Sequence, residues 1–498
     1  MAEHMDTVWV FGDQLNRSIG ALGRACPSTH RVLMVESSGA MSSRRYHRQR
    51  LHLVVAAMRR FAGALRSEGF LVDYRRTPTL AAGLVAHREE HAPERVVATE
   101  PLSRRAERML RANDVESVRS DQFLCHRDEF AAWAEGRLSL VMEHFYRHQR
   151  RRLGYLMDGD RPAGGHWNFD TENREPPPEG NPWPEPPVTP LDDLDEEVLA
   201  GLPRSAFGAE PEGWWATDRA GALERLEHFV SEVLPGFGPH EDAMTTRSWH
   251  LAHSLLSPCL NLGLLLPGEV CDAVEAAYRS GRVPIASAEG FIRQVVGWRE
   301  FIWGVYWLRP ELEDANVLGN ERSLPPAFTG GAPTRMRCLA EAVAGIEQRG
   351  WLHHIQRLMI LANFANLCGV HPGTLTEWMR ASFVDAADWV MVPNVAGLAM
   401  WADGGGMATK PYVSGGAYID RMSDYCRSCR FDPRQRAGPD ACPFTTLYWD
   451  FLDRHRRALE ANGRMRLQTR NLDRIADRLP GIRTDAERVR RALADGTL

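Results

Sequence analysis

A run of prolines near the middle of the chain places the strongest limit on how it can fold. The prolines are Pro176, Pro177, Pro178, Pro182, Pro184, Pro186, Pro187 and Pro190. Because proline fixes φ and lacks a backbone N–H, segment 158–215 is predicted to lack regular structure and to run as an extended connector. The chain therefore divides into an N-terminal part over 1–135, a linker over 136–217 and a C-terminal part over 218–498.

The N-terminal part alternates short apolar segments with amphipathic ones. Residues 8–11, 32–35, 71–74 and 96–98 have the composition of strands, and 48–67 has the pattern of a long helix. This alternation predicts an α/β, Rossmann-like domain in which helices cover a parallel sheet.

Polar residues follow the first of these predicted strands. They are Gly12, Asp13 and Gln14, and no G-x-G-x-x-G motif accompanies them. The missing motif argues against an ordinary dinucleotide site. Open α/β sheets bind ligands at the carboxyl ends of their strands, so another ligand is expected there.

The C-terminal part has a helical pattern throughout. The predicted helices cover 223–233, 248–265, 288–308, 336–349, 354–367, 375–383 and 449–461. The complete chain is therefore predicted to be an α/β domain, a long linker and an all-α domain.

Composition narrows the classes of function. The chain has 498 residues, a net charge of −5 and 44% hydrophobic residues, which is typical of a globular protein. Residues 1–6 do not read as a signal peptide, and no apolar run approaches the roughly 20 residues that a membrane helix needs. Nine cysteines spread unevenly along the chain favour a reducing compartment. The cytoplasm is the predicted location.

Three cysteines near the C-terminus form the strongest chemical signal. Cys426 and Cys429 are spaced C-x-x-C, and Cys442 directly precedes a proline. This spacing is typical of a metal or iron–sulfur site rather than of disulfides. It leaves the fourth ligand open between Cys338 and Cys368. The alternative is a set of buried reduced thiols, because free cysteine is often a small core residue.

Three helical segments carry polar side chains among apolar ones. Segment 254–263 has hydroxyls and an amide that can hold a phosphate, and segment 298–301 joins a tryptophan to an Arg–Glu pair. The adjacent His353 and His354 can supply a proton donor and its neighbour, but they cannot share one helix face as metal ligands. Ordinary interhelical contacts, a structural ion pair and core or capping histidines are the alternatives.

Two features of the cationic residues are unusual. Lys410 is the single lysine among 60 lysines and arginines. Retention of one lysine indicates a need for a compact ammonium that a planar guanidinium cannot replace, unless it persists by chance. Segment 454–491 is rich in arginine and is either a DNA-contacting surface or a solvated helix face.

Together these features resemble the photolyase–cryptochrome superfamily, and more closely its iron–sulfur bacterial branch of (6-4) photolyases and related cryptochromes. The similarity extends over essentially the whole chain. The matching segments are 12–15, 142–147, 167–174, 298–301, 353–357, 385–394, 402–405 and 408–412, followed by the C-terminal cysteines.

The resemblance implies light-driven DNA repair. In this family, FAD lies in the helical domain, and its reduced, photoexcited state passes an electron to a damaged pyrimidine pair flipped out of the duplex. UV-damaged DNA is thus the implied partner, and a monomer is expected. The residues implied in flavin binding are Ser254, Ser257, Asn261, Arg357, Asp385 and Asn394.

A second set of residues is implied at the lesion. These are His353, His354, Glu300, Lys410 and Tyr412. The histidines jointly are the expected proton donor, because a His near an anionic flavin has its cationic form favoured.

Two further cofactors are implied by the resemblance. A 6,7-dimethyl-8-ribityllumazine antenna is expected at Gly12, Asp13, Gln14 and Glu36. A 4Fe-4S cluster is expected on Cys338, Cys426, Cys429 and Cys442, because the family places its first ligand shortly before the HH-x-Q-R helix.

Two positions depart from the family pattern. Gly330 and Met379 stand where members carry aromatic residues that relay electrons to the flavin. We therefore expect photoreduction, if retained, to use Trp378, Trp389, Trp401 or the cluster. The alternative functions are a cryptochrome-like photoreceptor, a light-independent flavin and iron–sulfur redox enzyme, or a zinc-stabilised nucleic-acid-binding protein.

Overall fold

A five-stranded parallel sheet forms the N-terminal part of the computed structural model, which describes residues 5–180 and 182–498. The strands are β1 (Asp6–Val10), β2 (His30–Ser37), β3 (Leu71–Thr77), β4 (Val96–Thr99) and β5 (Glu116–Val118). Their order is β3-β2-β1-β4-β5, with every pair parallel. The predicted α/β class is confirmed. The short strand β5 was not predicted, because its sequence Glu-Ser-Val lacks an apolar run.

Helices cover both faces of this sheet. They are Gly20–Gly23, Ser38–Ser42, Arg48–Ser67, Leu80–His91, Arg104–Ala112 and Arg127–Ala134. The helix Arg48–Ser67 has the predicted bounds, and its apolar side is buried against the sheet. Side-chain caps fix two helix starts, since Thr79 and Ser103 each accept a hydrogen bond from a backbone N–H of the first turn.

The connector contains more regular structure than predicted. A helix, Met142–Leu153, and a hairpin of Met157–Asp158 with Arg161–Pro162 precede the prolines. A second helix, Asp193–Ala200, follows them, so the prediction that 158–215 lacks regular structure was wrong there. The physical reason is a reciprocal capping box between Asp192 and Asp195 in a stretch free of proline.

The remainder of the chain is helical, which confirms the predicted architecture. Its α-helices are Arg219–His228, Ser257–Leu262, Pro267–Arg279, Ile285–Ile292, Glu300–Leu308, Arg337–Arg349, Asn363–Cys368, Pro372–Ser382, Asp388–Met391, Gly416–Met422, Pro443–Arg454, Arg456–Glu460, Arg466–Asp473 and Leu479–Ala494. Wider π turns occur at Phe229–Val233, Arg293–Arg299, Gln356–Ala362 and Val392–Ala399.

One predicted helix is much shorter in the structure. The helix expected over 248–265 is confined to Ser257–Leu262. Leu251 and Leu255 have φ of 47° and 56°, values that break a right-handed helix, and Pro258 lies in the first turn. The irregular segment before it carries two residues of the candidate site.

The two halves dock through hydrogen bonds just after β1. The Leu15 backbone N–H donates to the Leu262 carbonyl at 2.8 Å, and the Asn16 side-chain amide donates to the Gly263 carbonyl at 3.0 Å. A continuous apolar core joins both halves here. Among the described residues, no helix is long and apolar enough to cross a membrane.

The helix Arg337–Arg349 makes a second connection between the halves. At its C-terminal end, the Gln49 amide donates to the Gln348 carbonyl at 2.7 Å, and the Trp215 indole donates to the Arg349 carbonyl at 3.2 Å. Its N-terminal end carries Cys338. The helix thus runs from a cysteine of the candidate metal site to the N-terminal domain.

Candidate functional site

Asp385 contacts three of the other five residues predicted to bind a flavin. The Ser257 hydroxyl donates to Asp385 Oδ2 at 2.6 Å, and the Asn261 amide donates to its carbonyl at 2.7 Å. Arg357 donates to both carboxylate oxygens, at 2.9 and 3.1 Å. For Ser254 and Asn394 the recorded contacts are local, with the Leu256 N–H and the Val390 carbonyl.

Arg299 extends this polar cluster and was not predicted as a binding residue. Its guanidinium donates to Asn261 Oδ1 at 2.6 Å and lies over the rings of Phe123 and Trp389 at 4.8 and 4.7 Å. Burial lowers the pKa of Arg299 to about 10, against the opposing charge of Glu300. The residue lies at the end of a π turn, a local widening that often occurs at functional sites.

Arg50 links these groups to Asp13 at the end of β1. Burial raises the pKa of Asp13 to about 6, the charge of Asp388 adds to the increase, and Arg50 opposes it. Arg50 also donates to the carbonyls of residues 383 and 386, on either side of Asp385. The end of β1 and the Asp385 cluster are therefore neighbours in the fold.

The other predicted antenna residues differ in their surroundings. Gln14 is buried and donates to the Glu100 carbonyl at 2.9 Å. A Cβ on Gly12 would lie 2.8 Å from Met58 Sδ, so a larger residue there would have to displace the methionine side chain. Glu36 accepts from Arg59 at 3.0 and 3.1 Å and from the Tyr74 hydroxyl at 2.9 Å. The carboxylate of Glu36 is thus already held within its own domain.

Three histidines lie together in the helical half. The rings of His253 and His353 are stacked with centroids 4.6 Å apart, and His354 is perpendicular to His253 at 5.5 Å. Both ring nitrogens of His353 are buried without a hydrogen-bond partner, as is Nε2 of His253. Burial lowers the pKa of both residues well below the usual value. Sequence reasoning missed His253, although it directly precedes the predicted Ser254.

His354 differs from its two neighbours because a carboxylate faces it. Its Nε2 lies 3.3 Å from Asp242 Oδ1. Burial opposes the charged form, but the Asp242 hydrogen bond and the charges of Asp242 and Glu241 raise the pKa of His354 overall. The side chain is 48% exposed although protein atoms surround it, so it lies at the bottom of an open recess.

The linker motif at 167–174 contributes to the same recess. Asn173 donates to Glu241 at 3.1 Å, and Arg293 lies 3.3 Å from Asp170 and 3.7 Å from Glu241. Burial raises the pKa of Glu241 to about 7, although the Arg293 charge opposes this. Glu241, Asp242 and Arg293 were not predicted from the sequence. The first two raise the pKa of His354, and Arg293 lies beside Glu241.

Only part of the predicted lesion set lies near His354. Tyr412 shares the recess, because Asp242 and Asp170 influence its raised pKa, of which burial is the main cause. Lys410 is half-buried two residues earlier. Glu300 is completely buried and accepts from the Cys125 N–H at 2.8 Å. Its recorded contacts do not include the histidines, and burial raises its pKa to about 7.

Cys338, Cys426, Cys429 and Cys442 line one apolar pocket. Burial raises the pKa of Cys338 well above its usual value, and the other three thiols add to the increase. Cys368 instead lies near Arg454 and Arg490.

Gly416 lines the same pocket beside Cys442. A Cβ on Gly416 would lie 2.9 Å from the Cys442 sulfur, so this glycine keeps the pocket open.

The two positions that depart from the aromatic pattern have different environments. Gly330 is exposed with φ of 71°, and Met379 is buried. Trp378 contacts Phe328 and Phe383. Trp389, beside Arg299, instead begins a line of tryptophans that continues through Trp303 to Trp307, with centroid distances of 6.0 and 5.5 Å.

The sequence and fold are similar to those of photolyases. The family model for deoxyribodipyrimidine photo-lyase-related proteins matches residues 8–210. A "(6-4) photolyase" of Agrobacterium fabrum is 41% identical over 474 residues, which is 92% of this chain and 93% of that protein. A deoxyribodipyrimidine photo-lyase of the same bacterium is 26% identical over 44% of this chain and 46% of its own length.

Two solved structures share the architecture. A class III photolyase from Agrobacterium tumefaciens has a TM-score of 0.58 at 18% identity, with 92% of each chain covered. A cryptochrome of Synechocystis sp. PCC6803 has a TM-score of 0.55 at 14% identity, covering 91% of this chain and 93% of its own. The fold is thus that of photolyases and cryptochromes. Within this class, the chain belongs to the family of the bacterial (6-4) photolyase, as its sequence motifs predicted.

Proposed function

We propose that this protein repairs (6-4) pyrimidine–pyrimidone photoproducts in UV-damaged DNA by light-driven electron transfer. One observation carries this proposal: His354 is paired with Asp242 and lies near Arg357, which binds the polar Asp385 cluster. The 41% identity to a (6-4) photolyase gives the reaction class.

FAD is proposed to bind at the Asp385 cluster. The cluster and the neighbouring Asp13 combine hydroxyl, amide and guanidinium donors with two carboxylates, a set suited to a ribityl chain and a diphosphate. The proposed contacts are Ser254, Ser257, Asn261, Arg357, Asp385 and Asn394, with Arg299 added by its hydrogen bond to Asn261. When bound, reduced and excited by light, FAD supplies an electron to the lesion.

His354 is the proposed proton donor to the lesion. Its raised pKa keeps a proton available near neutral pH, and Asp242 holds the ring in one orientation. His353 is completely enclosed and its pKa is lowered, so we assign it to packing behind His354 as a neutral ring. The expectation that both histidines act jointly is thereby narrowed to one donor and one supporting residue.

Lys410 and Tyr412 are proposed to contact the DNA at the rim of this recess. A lysine there can neutralise a phosphate, and a base can stack on the tyrosine ring. Flipping the damaged pair out of the duplex costs roughly a few kcal/mol of free energy, and such contacts can offset that cost. We do not retain Glu300 as a lesion contact, because its carboxylate is buried against the Cys125 N–H.

A 4Fe-4S cluster is the proposed occupant of the cysteine pocket. Four thiols line an apolar pocket, and four cysteines are the usual ligand set of such a cluster. Bound iron would hold Cys338 as a thiolate, whereas burial and the other thiols raise its pKa in the metal-free pocket.

A 6,7-dimethyl-8-ribityllumazine antenna is proposed at the end of β1. Asp13 and Gln14 lie there, and Asp13 is close to Arg50, which is also close to Asp385. This arrangement suits short-range transfer of excitation between two chromophores. Glu36 would have to exchange its Arg59 and Tyr74 partners to take part.

The second candidate function is a blue-light photoreceptor on the same scaffold. Gly330 and Met379 favour it, because they remove the aromatic relay expected in the family. The line from Trp389 to Trp307 offers an alternative electron route that would keep photoreduction possible.

Illumination of the reduced protein with an oligonucleotide that contains a (6-4) photoproduct tests the proposal. We expect restored bases in the light and none in the dark. His354→Ala should keep its flavin absorption and lose at least 100-fold in repair rate, because the acid is missing. His148→Ala, which removes an exposed histidine elsewhere, is the control. An unrepaired lesion with wild-type protein would favour the photoreceptor, and a fully active His354→Ala would refute the assigned acid.

A further inference from the structure

Three potential metal ligands meet at the edge of the N-terminal sheet, far along the chain from the cysteines. They are Asp73 on β3 and His87 and His91 on the helix Leu80–His91. One ligand atom of each lies within 4.8 Å of those of the other two. The proposed repair reaction uses none of them.

The local sequence explains why these side chains converge. His87 and His91 are four residues apart, so they lie on the same face of the helix. The helix packs against β2 and β3, and β3 is the edge strand of the sheet. The rings of His87 and His91 are 5.0 Å apart and perpendicular. Side-chain exposure is 0% for His87, 14% for Asp73 and 19% for His91, which leaves one side of the group open to solvent.

His87 is oriented as metal-binding histidines usually are. Its Nδ1 lies 2.6 Å from Asp73 Oδ2, and its Nε2 lies 2.8 Å from the Thr7 hydroxyl. A ligating histidine normally donates its second N–H to an oxygen, which fixes its tautomer. Thr7 can accept that hydrogen bond from Nε2–H. The single proton of the neutral ring would then lie on Nε2, and Nδ1 would offer its lone pair to the metal in place of the present contact with Asp73.

Arg75 and Glu90 lie beside the three ligands and leave room for a metal ion. Arg75 Nε lies 2.6 Å from Asp73 Oδ2, but the carboxylate has further lone pairs for a metal. Arg75 also binds Glu90 at 2.7 Å, and the other Glu90 oxygen lies 3.6 Å from His91 Nε2. Glu90 is thus positioned as a fourth ligand or as the acceptor for a metal-bound water.

We infer that Asp73, His87 and His91 form a site for a divalent transition metal, with zinc as the ion that best suits two imidazoles and one carboxylate. Such a set leaves one coordination position for water or Glu90. The bound ion would join the edge strand β3 to the helix Leu80–His91. It would be separate from the iron bound by the four cysteines.

Zinc titration of the full-length, cluster-loaded protein tests this inference. Dialysis against Zn²⁺ followed by elemental analysis should give one more zinc per chain in wild-type protein than in His91→Ala. Added Zn²⁺ should raise the melting temperature of the wild type and leave that of His91→Ala unchanged, because a ligand that binds only the native state stabilises it. His91 lies at the surface, so its replacement is compatible with folding.

His30→Ala is the matched control, since it removes another partly exposed histidine of the same domain. It should retain the additional zinc and the shift in melting temperature. Equal zinc content in wild type and His91→Ala would overturn the inference. Loss of the additional zinc from His30→Ala as well as from His91→Ala would also overturn it. Cobalt substitution gives an independent readout, because a nitrogen and oxygen site lacks the thiolate charge-transfer bands of a cysteine site.

Discussion

Several carboxyl groups in the interior have raised pKa values, and three of them each lie near a different arginine. Asp13 lies near Arg50, Glu241 near Arg293, and Glu300 beside Arg299. Burial is the main cause in all three, and the nearby guanidinium limits the shift. An arginine held close to a buried acid thus decides whether the acid titrates in the neutral range.

Glu300→Gln is expected to change the pH dependence of stability. The folded protein keeps the Glu300 proton up to about pH 7, whereas the unfolded chain releases it near pH 4.5. The wild type therefore loses stability as the pH rises from about 4.5 to 7, by an amount on the order of 1–3 kcal/mol. Glutamine does not titrate, so the variant should gain that much relative to the wild type between pH 5 and pH 8.

Urea unfolding at both pH values measures this difference. Glu89→Gln, at an exposed position, should follow the wild-type profile. Parallel profiles for Glu300→Gln and the wild type would contradict the raised pKa of Glu300.

At the scale of elements, sequence patterns located most segments but misjudged irregular ones. The helix Arg48–Ser67 was predictable because its apolar period is regular and long. The helix over 248–265 was overpredicted, since positive φ at Leu251 and Leu255 depends on tertiary packing that periodicity does not report. For the same reason His253 was missed, because only the stacking on His353 reveals it.

The helix Arg337–Arg349 contributes Cys338, the first of the four proposed cluster ligands, to the cysteine pocket. Cys338→Ser should lose most of the bound iron, because one of four thiols is removed from the pocket wall. Cys368→Ser is the matched control, with a buried thiol that lies near Arg454 and Arg490 instead. Iron content and visible absorption of the two purified variants provide the measurement. Equal iron in both would mean that Cys338 is not a ligand.

At the scale of the whole molecule, the two halves are joined where β1 ends. Gly263 has φ of 83°, and a Cβ there would lie 3.0 Å from Ile19 Cδ1 and 3.1 Å from the Leu15 nitrogen. The close contact and the left-handed backbone both require glycine. Sequence reasoning assigned the two domains, but it had no means of locating their junction.

Gly263→Ala should therefore weaken the docking of the halves. We expect a loss of about 2–4 kcal/mol in the free energy of unfolding. Alanine would be strained in the left-handed backbone conformation, and its Cβ would crowd Leu15 and Ile19, which follow β1. Gly281→Ala has similar strain at φ of 75° but open space around it, and should lose about 1–2 kcal/mol. Urea unfolding and limited proteolysis distinguish the two. Identical losses would show that the contact itself contributes nothing.

The helix Arg337–Arg349 joins three parts of the molecule. One of its ends carries a thiol of the cysteine pocket, the other is tied to the N-terminal domain, and His353 and His354 follow four and five residues later. A change in packing at Cys338 would therefore act on the same rigid element that holds the interdomain contact and precedes the two histidines.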